Sequence, residues 1–444
     1  MSVVTRFAPS PTGLLHIGNL RTAFINWLYS KQNNGKFILR IDDTDEERSR
    51  QEYIDAIFKD CEWLGLSFDL TFRQSQRADR YKEVIDKLIA DGRLYPCYET
   101  PEELELNRKM QLSNSKPPIY NRAALRLTSE EINEHKKMGR KPCYRFLMDY
   151  SNIAWQDFVK GSISFEGNNI SDPIVLKENG NITYLLCSVI DDIDYNISTI
   201  IRGEDHVINT AVQIQMIQAL NGTNPLFGHL SLIKSKEAKI SKRAGGFDIT
   251  SLRDELKIEP LVLWSFLSTI GTSLPIKAYD NIDDIIKDFD IKHFSSSPST
   301  YMEQELQILN HKFITHLSYD AVQSRLKDMN IAKEITEDFW LSIRGNLDNI
   351  AQVIDWYKIC KQDVEAVNVD KEYLRVAASM LPEGPIDNDT FKAWMSIVAG
   401  HTNRKGKDLF LPIRIALTGG VSGPELHNLL PIIGREKILY RLQK

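Results

Sequence analysis

Apolar positions change their period along this chain, and the changes divide it. Over the first 94 residues short apolar runs alternate with helical repeats. Val3-Val4-Thr5-Arg6-Phe7 reads as a strand. After the turn Ala8-Pro9-Ser10-Pro11-Thr12-Gly13, residues Leu20, Ala23, Phe24, Trp27 and Leu28 fall at i, i+3, i+4, i+7 and i+8, the spacing of one helix face. Phe37-Ile38-Leu39-Arg40-Ile41 predicts a second strand. Helices follow, marked by Ile54, Ile57, Phe58 and Cys61 and then by Tyr81, Val84, Ile85, Leu88 and Ile89. Such alternation predicts right-handed βαβ crossovers and a parallel sheet. Ligands of such sheets sit beyond the carboxyl ends of the strands, at a topological switch point.

From about residue 95 to 180 the sequence turns charged and irregular, with short apolar stretches at Ser162-Ile163-Ser164-Phe165 and Pro173-Ile174-Val175-Leu176. Strand–helix alternation resumes with strands at Ile182-Thr183-Tyr184-Leu185-Leu186 and Ser198-Thr199-Ile200-Ile201-Arg202 and a helix over about 208–220. Beyond 250 helical periodicity dominates, broken by loops such as Ser295-Ser296-Ser297-Pro298. The expected fold is an α/β Rossmann-type catalytic domain from residues 1–94 and 181–250, with an inserted α+β domain at 95–180. A helical domain at 251–310 and an all-α region at 311–444 complete it.

Length agrees with several cores, because single cores stop growing at about 250 to 300 residues and this chain has 444. The charge balance, 55 Lys and Arg against 60 Asp and Glu, excludes a globally basic nucleic-acid binder; any RNA contact must use local patches. Five scattered cysteines without close spacing indicate neither a disulfide framework nor a Cys-x-x-Cys metal site, and a reducing cytoplasm is expected. No apolar run approaches the length of a membrane span, and the N-terminus lacks the layout of a signal peptide.

Two separated motifs carry the candidate chemistry. His16-Ile17-Gly18-Asn19 opens the first helix. A helix start offers unpaired N–H groups and a partial positive charge; Gly18 lets a phosphate approach the backbone, and His16 can donate to charge building on it. Lys239-Ile240-Ser241-Lys242-Arg243 adds two ammoniums and a guanidinium in front of Ala244-Gly245-Gly246. Alone, a histidine is more often a structural or surface group and a basic pentapeptide usually a solvated loop. Jointly they read as an ATP-cleaving site. Asp42-Asp43-Thr44-Asp45 is either an acidic helix start or a site for an ammonium group. Arg6 and Arg202 lie in or at the end of apolar strands, where a guanidinium needs a carboxylate or phosphate. Two arginines meeting one carboxylate select an acidic substrate. On spacing alone Tyr184 and Trp27 read as core aromatics.

Taken in order and spacing, the segments Phe7 to Gly13, Leu15-His16-Ile17-Gly18, Arg21-Thr22-Ala23, Asp43-Thr44-Asp45, Arg73-Gln74-Ser75, Asp191-Asp192, Arg202-Gly203-Glu204-Asp205-His206 and Lys239 to Arg243 resemble bacterial-type glutamyl-tRNA synthetases. Leu411 to Gly419 and Gly423-Pro424-Glu425-Leu426 resemble that family's anticodon-binding region, so the resemblance spans nearly the whole chain. It implies a class I synthetase that forms glutamyl adenylate from ATP and L-glutamate and charges tRNA(Glu), with tRNA(Gln) as alternative or additional acceptor. Under that resemblance residues 95–180 bind the acceptor end, 251–310 contact the stem and 311–444 bind the anticodon. His16, Lys239, Lys242 and Arg243 are the implied catalytic residues, and Pro9, Gly13, His16, Gly18, Asn19 and Lys242 the ATP-binding ones. Glutamate falls to Arg6, Ala8, Ser10, Asp42, Tyr184, Ser188 and Arg202. Mg2+ arrives with ATP, and a cytoplasmic monomer is expected. Asp42 stands where many relatives carry glutamate, Ser188 where some carry asparagine, and Asn19 where many class I enzymes carry histidine. Some relatives hold zinc with cysteines in the inserted domain; Cys97 here has Glu99 two residues on, so no zinc is expected. A non-catalytic RNA-binding relative and a small-molecule adenylyltransferase are the competing classes. The motifs oppose the first and the long helical C-terminus opposes the second.

Overall fold

The computed structural model describes residues 2–45, 47–235, 248–329, 335–364 and 369–444. Two compact units account for it, one from residues 1–252 and 263–302 and the other from 253–262 and 303–444.

The first unit begins with β1 (Val4–Phe7), α1 (Ile17–Gln32), β2 (Lys36–Ile41), α2 (Gln51–Trp63), β3 (Leu70–Arg73) and α3 (Ala78–Ala90). The three strands pair in parallel in the order β1-β2-β3. Every residue of β1 is buried, as happens where helices cover both faces of a parallel sheet. The chain continues through β4 (Leu94–Cys97), α4 (Pro101–Ser113), α5 (Ser129–Lys137), β5 (Cys143–Phe146), β6 (Asn152–Asp157), β7 (Gly161–Glu166) and β8 (Ile174–Leu176). Strands β4, β5 and β8 form a small antiparallel sheet. Hairpin β6–β7, from the middle of the 95–180 stretch, goes elsewhere.

After α6 (Tyr184–Asp194) come β9 (Thr199–Gly203), α7 (Val207–Ala219) and β10 (Leu226–Leu230). These strands and the hairpin make a second sheet in the order β7-β6-β10-β9, with β10 parallel to both β6 and β9. Strand β9 runs beside β1, where Ser198 N donates to the Val4 carbonyl at 3.0 Å and Val4 N donates to Ser198 Oγ at 2.8 Å. Further along, the buried Asn26 of α1 serves the backbone of Ile201 from both ends of its amide. Its Nδ2 donates to the carbonyl at 2.8 Å and its Oδ1 accepts from N–H at 3.4 Å. The β1–β9 boundary is the switch point, because successive strands lead away from it in opposite directions.

One expected strand is a helix. The run from Ile182 to Leu186 enters α6, whose Leu186, Cys187, Val189 and Ile190 are all buried. The run is five residues long: Ile182 bridges to Leu176 in an extended conformation and only the last three residues enter the first turn of α6, so the run is too short for its period to separate helix from strand.

The second unit is helical throughout its described residues, from Glu303–His316 to Arg435–Gln443, around a core that includes Trp340, Trp394, Phe339, Leu417 and Leu429. Gly423 holds φ at +138°, and a Cβ there would lie 2.3 Å from the Trp356 ring, so the loop before the helix Leu426–Ile433 requires glycine. Among the described residues no helix is long and apolar enough to cross a membrane.

Candidate active site

A cavity of about 840 Å³ opens at the switch point. Strand β1 supplies Arg6 to its wall, the turn after it Ala8, Pro9, Ser10, Gly13 and His16, and the start of α1 Gly18 and Asn19; Asp42 comes from just past the end of β2, Tyr184 from α6 and Arg202 from β9. Ser188 is not among the lining residues, and Lys239, Lys242 and Arg243 lie outside the described residues.

His16 is the N-cap of α1. Its Nδ1 accepts from Gly18 N at 3.0 Å and Asn19 N at 3.3 Å, while Asn19 Oδ1 accepts from His16 N at 3.4 Å. The two N–H groups expected to meet a phosphate therefore donate to the histidine instead. Gly18 has a local reason as well, since a Cβ there would lie 2.9 Å from the His16 ring. With Nδ1 accepting, the ring proton sits on Nε2, and burial lowers the imidazole pKa, which keeps the ring neutral. The result is a fixed neutral donor at a helix start.

Asp42 to Asp45 are in no helix, and α2 begins only at Gln51. Asp43 instead accepts from Ser75 N and Oγ, both at 2.8 Å. Asp42 is gripped by Arg40, whose Nε and Nη2 reach the two carboxylate oxygens at 2.6 and 3.1 Å. Burial pushes the Asp42 carboxyl up to about 6, against the lowering pull of Arg40. Arg40 also donates to Asp192 at 3.0 Å and to Ser188 Oγ at 3.0 Å, and Asp191 lies 3.8 Å away. Ser188 thus touches the site through Arg40. Arg6 lies 3.4 Å from the same Asp192 oxygen.

Arg202 is 5% exposed, and its partners are all neutral: Tyr184 hydroxyl at 3.3 Å, Thr210 Oγ1 at 2.5 Å and Gln213 Oε1 at 2.7 Å. Its Nε has no hydrogen-bond partner, and no ion pair joins it to a carboxylate among the described residues. Burial lowers its pKa, but a guanidinium stays charged at neutral pH. Asp192 and Asp205 act on this buried charge only from beyond contact, which leaves a place beside it for a ligand carboxylate. The Tyr184 hydroxyl also lies 3.2 Å from His206 Nδ1, so this tyrosine belongs to the site rather than to the apolar core.

Two arginines escaped the sequence reading. Arg40 carries the same signal as Arg6, a charge inside an apolar strand, and could have been found by it. Arg21 lies in α1, 1% exposed, donating to the Ser231 carbonyl at 2.9 Å with its guanidinium 5.1 Å from the Phe294 ring centre. Burial lowers its pKa to about 10. A helical arginine is normally solvated, so apart from its place in the segment Arg21-Thr22-Ala23 nothing local marks it as buried.

In the small sheet Cys97 and Cys143 are register partners on β4 and β5, a pairing that a separation of 46 positions hides from the sequence. The Cys97 thiol donates to Tyr120 at 3.4 Å, and Tyr120 donates to Glu99 at 2.6 Å. Among the described residues no group of three His, Cys, Asp or Glu side chains is placed to hold a metal ion.

A switch-point cavity behind a histidine-capped helix, followed by an all-helical unit, is the arrangement of a class I tRNA synthetase. The family model "tRNA synthetases class I (E and Q), catalytic domain" matches residues 2–308, and the model "Anticodon binding domain" matches residues 312–444. Within that class the chain belongs to the glutamate–tRNA ligase family. It is 53% identical over 442 residues to glutamate–tRNA ligase 1 of Rickettsia massiliae (strain Mtu5), 99% of each chain being covered. It is 54% identical over 443 residues to glutamate–tRNA ligase 2 of Rickettsia canadensis (strain McKiel), again with 99% of each covered. The fold matches the crystal structure of a glutamate tRNA ligase from Elizabethkingia meningosepticum CCUG26117 in complex with its amino acid. The TM-score is 0.84 at 23% identity, covering 100% of this chain and 98% of that one.

Proposed function

We propose that this chain activates L-glutamate with ATP and transfers it to the 3′ end of tRNA(Glu), with tRNA(Gln) as the alternative acceptor. The glutamate α-carboxylate attacks the α-phosphorus of ATP and pyrophosphate leaves; a hydroxyl of the terminal adenosine then attacks the acyl carbon and AMP leaves. The observation that carries the reading is Arg202, a buried guanidinium at the cavity with only neutral partners. With Arg6 it forms the clamp for the substrate's side-chain carboxylate, beside Tyr184. A glutamine amide there leaves the charge uncompensated, which is the source of discrimination. Ser10 and Asp42 take the amino group, Ala8 borders it, and Ser188 acts through Arg40 near the α-carboxylate.

His16 Nε2 donates to the α-phosphate as charge develops, with Lys239, Lys242 and Arg243 assisting and Pro9, Gly13, Gly18 and Asn19 lining the nucleotide's place. ATP arrives as its Mg2+ complex, which partly neutralises the phosphates. Residues 95–180 take the acceptor end, 251–310 the stem and 311–444 the anticodon. The protein works as a cytoplasmic monomer without structural zinc, and the protonated Cys97 thiol bonded to Tyr120 supports the last point.

Charging of separate tRNA(Glu) and tRNA(Gln) transcripts with labelled glutamate, with glutamine as control, tests the reading. Charging of either transcript with glutamate alone is expected. Charging with glutamine, or of neither transcript by folded protein, overturns it. His16→Ala is expected to lower charging by about 10²-fold or more, the usual loss on removing a donor to transition-state charge.

A further inference from the structure

Beyond the cavity wall, a line of buried polar groups leads away from Arg202. Thr210, in α7 and fully buried, places its Oγ1 2.5 Å from Arg202 Nη2 and 2.8 Å from His229 Nε2. The same hydroxyl is 3.3 Å from the His206 carbonyl, a longer contact. His229, in β10 and fully buried, places Nδ1 2.5 Å from Asp157 Oδ2 at the end of β6. Asp157 also accepts from the backbone N–H of His229, Val159 and Lys160 at 3.0 to 3.1 Å, and from Trp155 Nε1 at 3.4 Å.

The directions of these bonds follow from chemistry. Burial opposes ionisation of Asp157, but the His229 ring and the backbone donors outweigh it and hold the carboxyl down at about 2. An ionised carboxylate only accepts, so Nδ1 of His229 carries a proton. Burial lowers the His229 pKa more than Asp157 raises it, so the ring is neutral and Nε2 only accepts. Thr210 must then give its single hydroxyl proton to His229, and the face it turns to Arg202 is a lone pair. One Nη2 hydrogen goes to Thr210 and the other to Gln213, which saturates that nitrogen. The free Nε hydrogen and the second Nη1 hydrogen remain.

We propose that Asp157, His229 and Thr210 are positioning residues that make Thr210 an obligate acceptor, fix the rotation of the Arg202 guanidinium without neutralising it, and so set the preference for a carboxylate over an amide. A carboxylate in place of Thr210 would hold the arginine equally well but cancel the charge that the substrate needs to find. A reversed hydroxyl would repel it. The proposal rests on the reading of Arg202 as the clamp for the side-chain carboxylate.

The test is steady-state charging by the full chain with tRNA, comparing Thr210→Val, Thr210→Ser and Arg202→Ala. Valine keeps the volume and removes the acceptor; serine keeps it. For Thr210→Val the KM for glutamate is expected to rise about tenfold, the cost of one hydrogen bond to a charged group. The glutamate-over-glutamine ratio should fall with it, KM for ATP and tRNA should stay unchanged, and Thr210→Ser should restore the parent values. Should the valine variant fail to fold, His229→Asn, which keeps a donor toward Asp157 and loses the acceptor toward Thr210, must show the same selective rise. If Arg202→Ala raises the glutamate KM while Thr210→Val does not, the relay is wrong and the clamp stands. If Arg202→Ala changes neither KM nor the ratio, the clamp itself falls and the relay with it. A uniform loss across glutamate, ATP and tRNA marks Thr210 as merely structural and also overturns the proposal.

Discussion

Arg40 and Arg202 sit near the C-terminal ends of β2 and β9, strands of two different sheets, and the fold treats their charges in opposite ways. Around Arg40 three aspartates, Asp42, Asp191 and Asp192, converge within 3.8 Å. Around Arg202 there are a hydroxyl, an amide and a phenol. The first arrangement satisfies the guanidinium completely and joins β2 to α6. The second occupies three of its five N–H donors and gives it no hydrogen-bonded counterion. A buried cation is therefore structural or substrate-facing according to what surrounds it, and not according to its residue type or burial.

The largest effect expected from this contrast is on stability. Arg40→Met strands buried carboxylates without their cation and should lower the unfolding free energy by about 3 to 5 kcal/mol, whereas Arg202→Met should cost no more than about 1 to 2. Denaturant unfolding of both variants measures the difference, and equal losses would break the comparison. A smaller effect is expected at the boundary between the two sheets. Asn26→Ala leaves both backbone groups of Ile201 on that side without a partner and should cost about 1 to 3 kcal/mol by the same measurement. The smallest concerns pH. The Asp42 carboxyl, pushed up to about 6, protonates as pH falls through that value and loses its attraction for the substrate ammonium. The KM for glutamate should rise about fourfold between pH 7.5 and 5.5, and Asp42→Asn should flatten that dependence. A flat profile in the parent enzyme would place Asp42 on the structural side with Arg40.

Much of the site was legible because lone charges in apolar strands are conspicuous. Arg6 and Arg202 stood out on that ground, and Arg40 offered the same signal, although it was passed over. His16 was legible from its place at a helix start, but the capture of Gly18 and Asn19 N–H by its own ring was not, since a sequence does not say which acceptor a cap donor will choose. The helices α1, α2, α3 and α7 lie where the sequence places them. Helix α6 was missed because only its first turn, Tyr184-Leu185-Leu186, falls in the five-residue apolar run that suggests a strand. The partners of Arg202 were hidden for a different reason. Asp157 and His229 are 72 positions apart and meet only through the pairing of β6 with β10. Such long-range pairings are set by the packing of whole elements, and no local pattern records them.

That pairing bears on how the enzyme's parts can be exchanged. The stretch 95–180 reads as a cassette threaded into a nucleotide-binding fold, yet its hairpin β6–β7 supplies two strands of the second sheet. A chimaera cut at residues 95 and 180 would take those strands and the Asp157 side chain away with the transplant. A graft of the small sheet has to carry β4, β5 and β8 together while leaving the hairpin Asn152–Glu166 with its host, so it cannot be one uninterrupted segment.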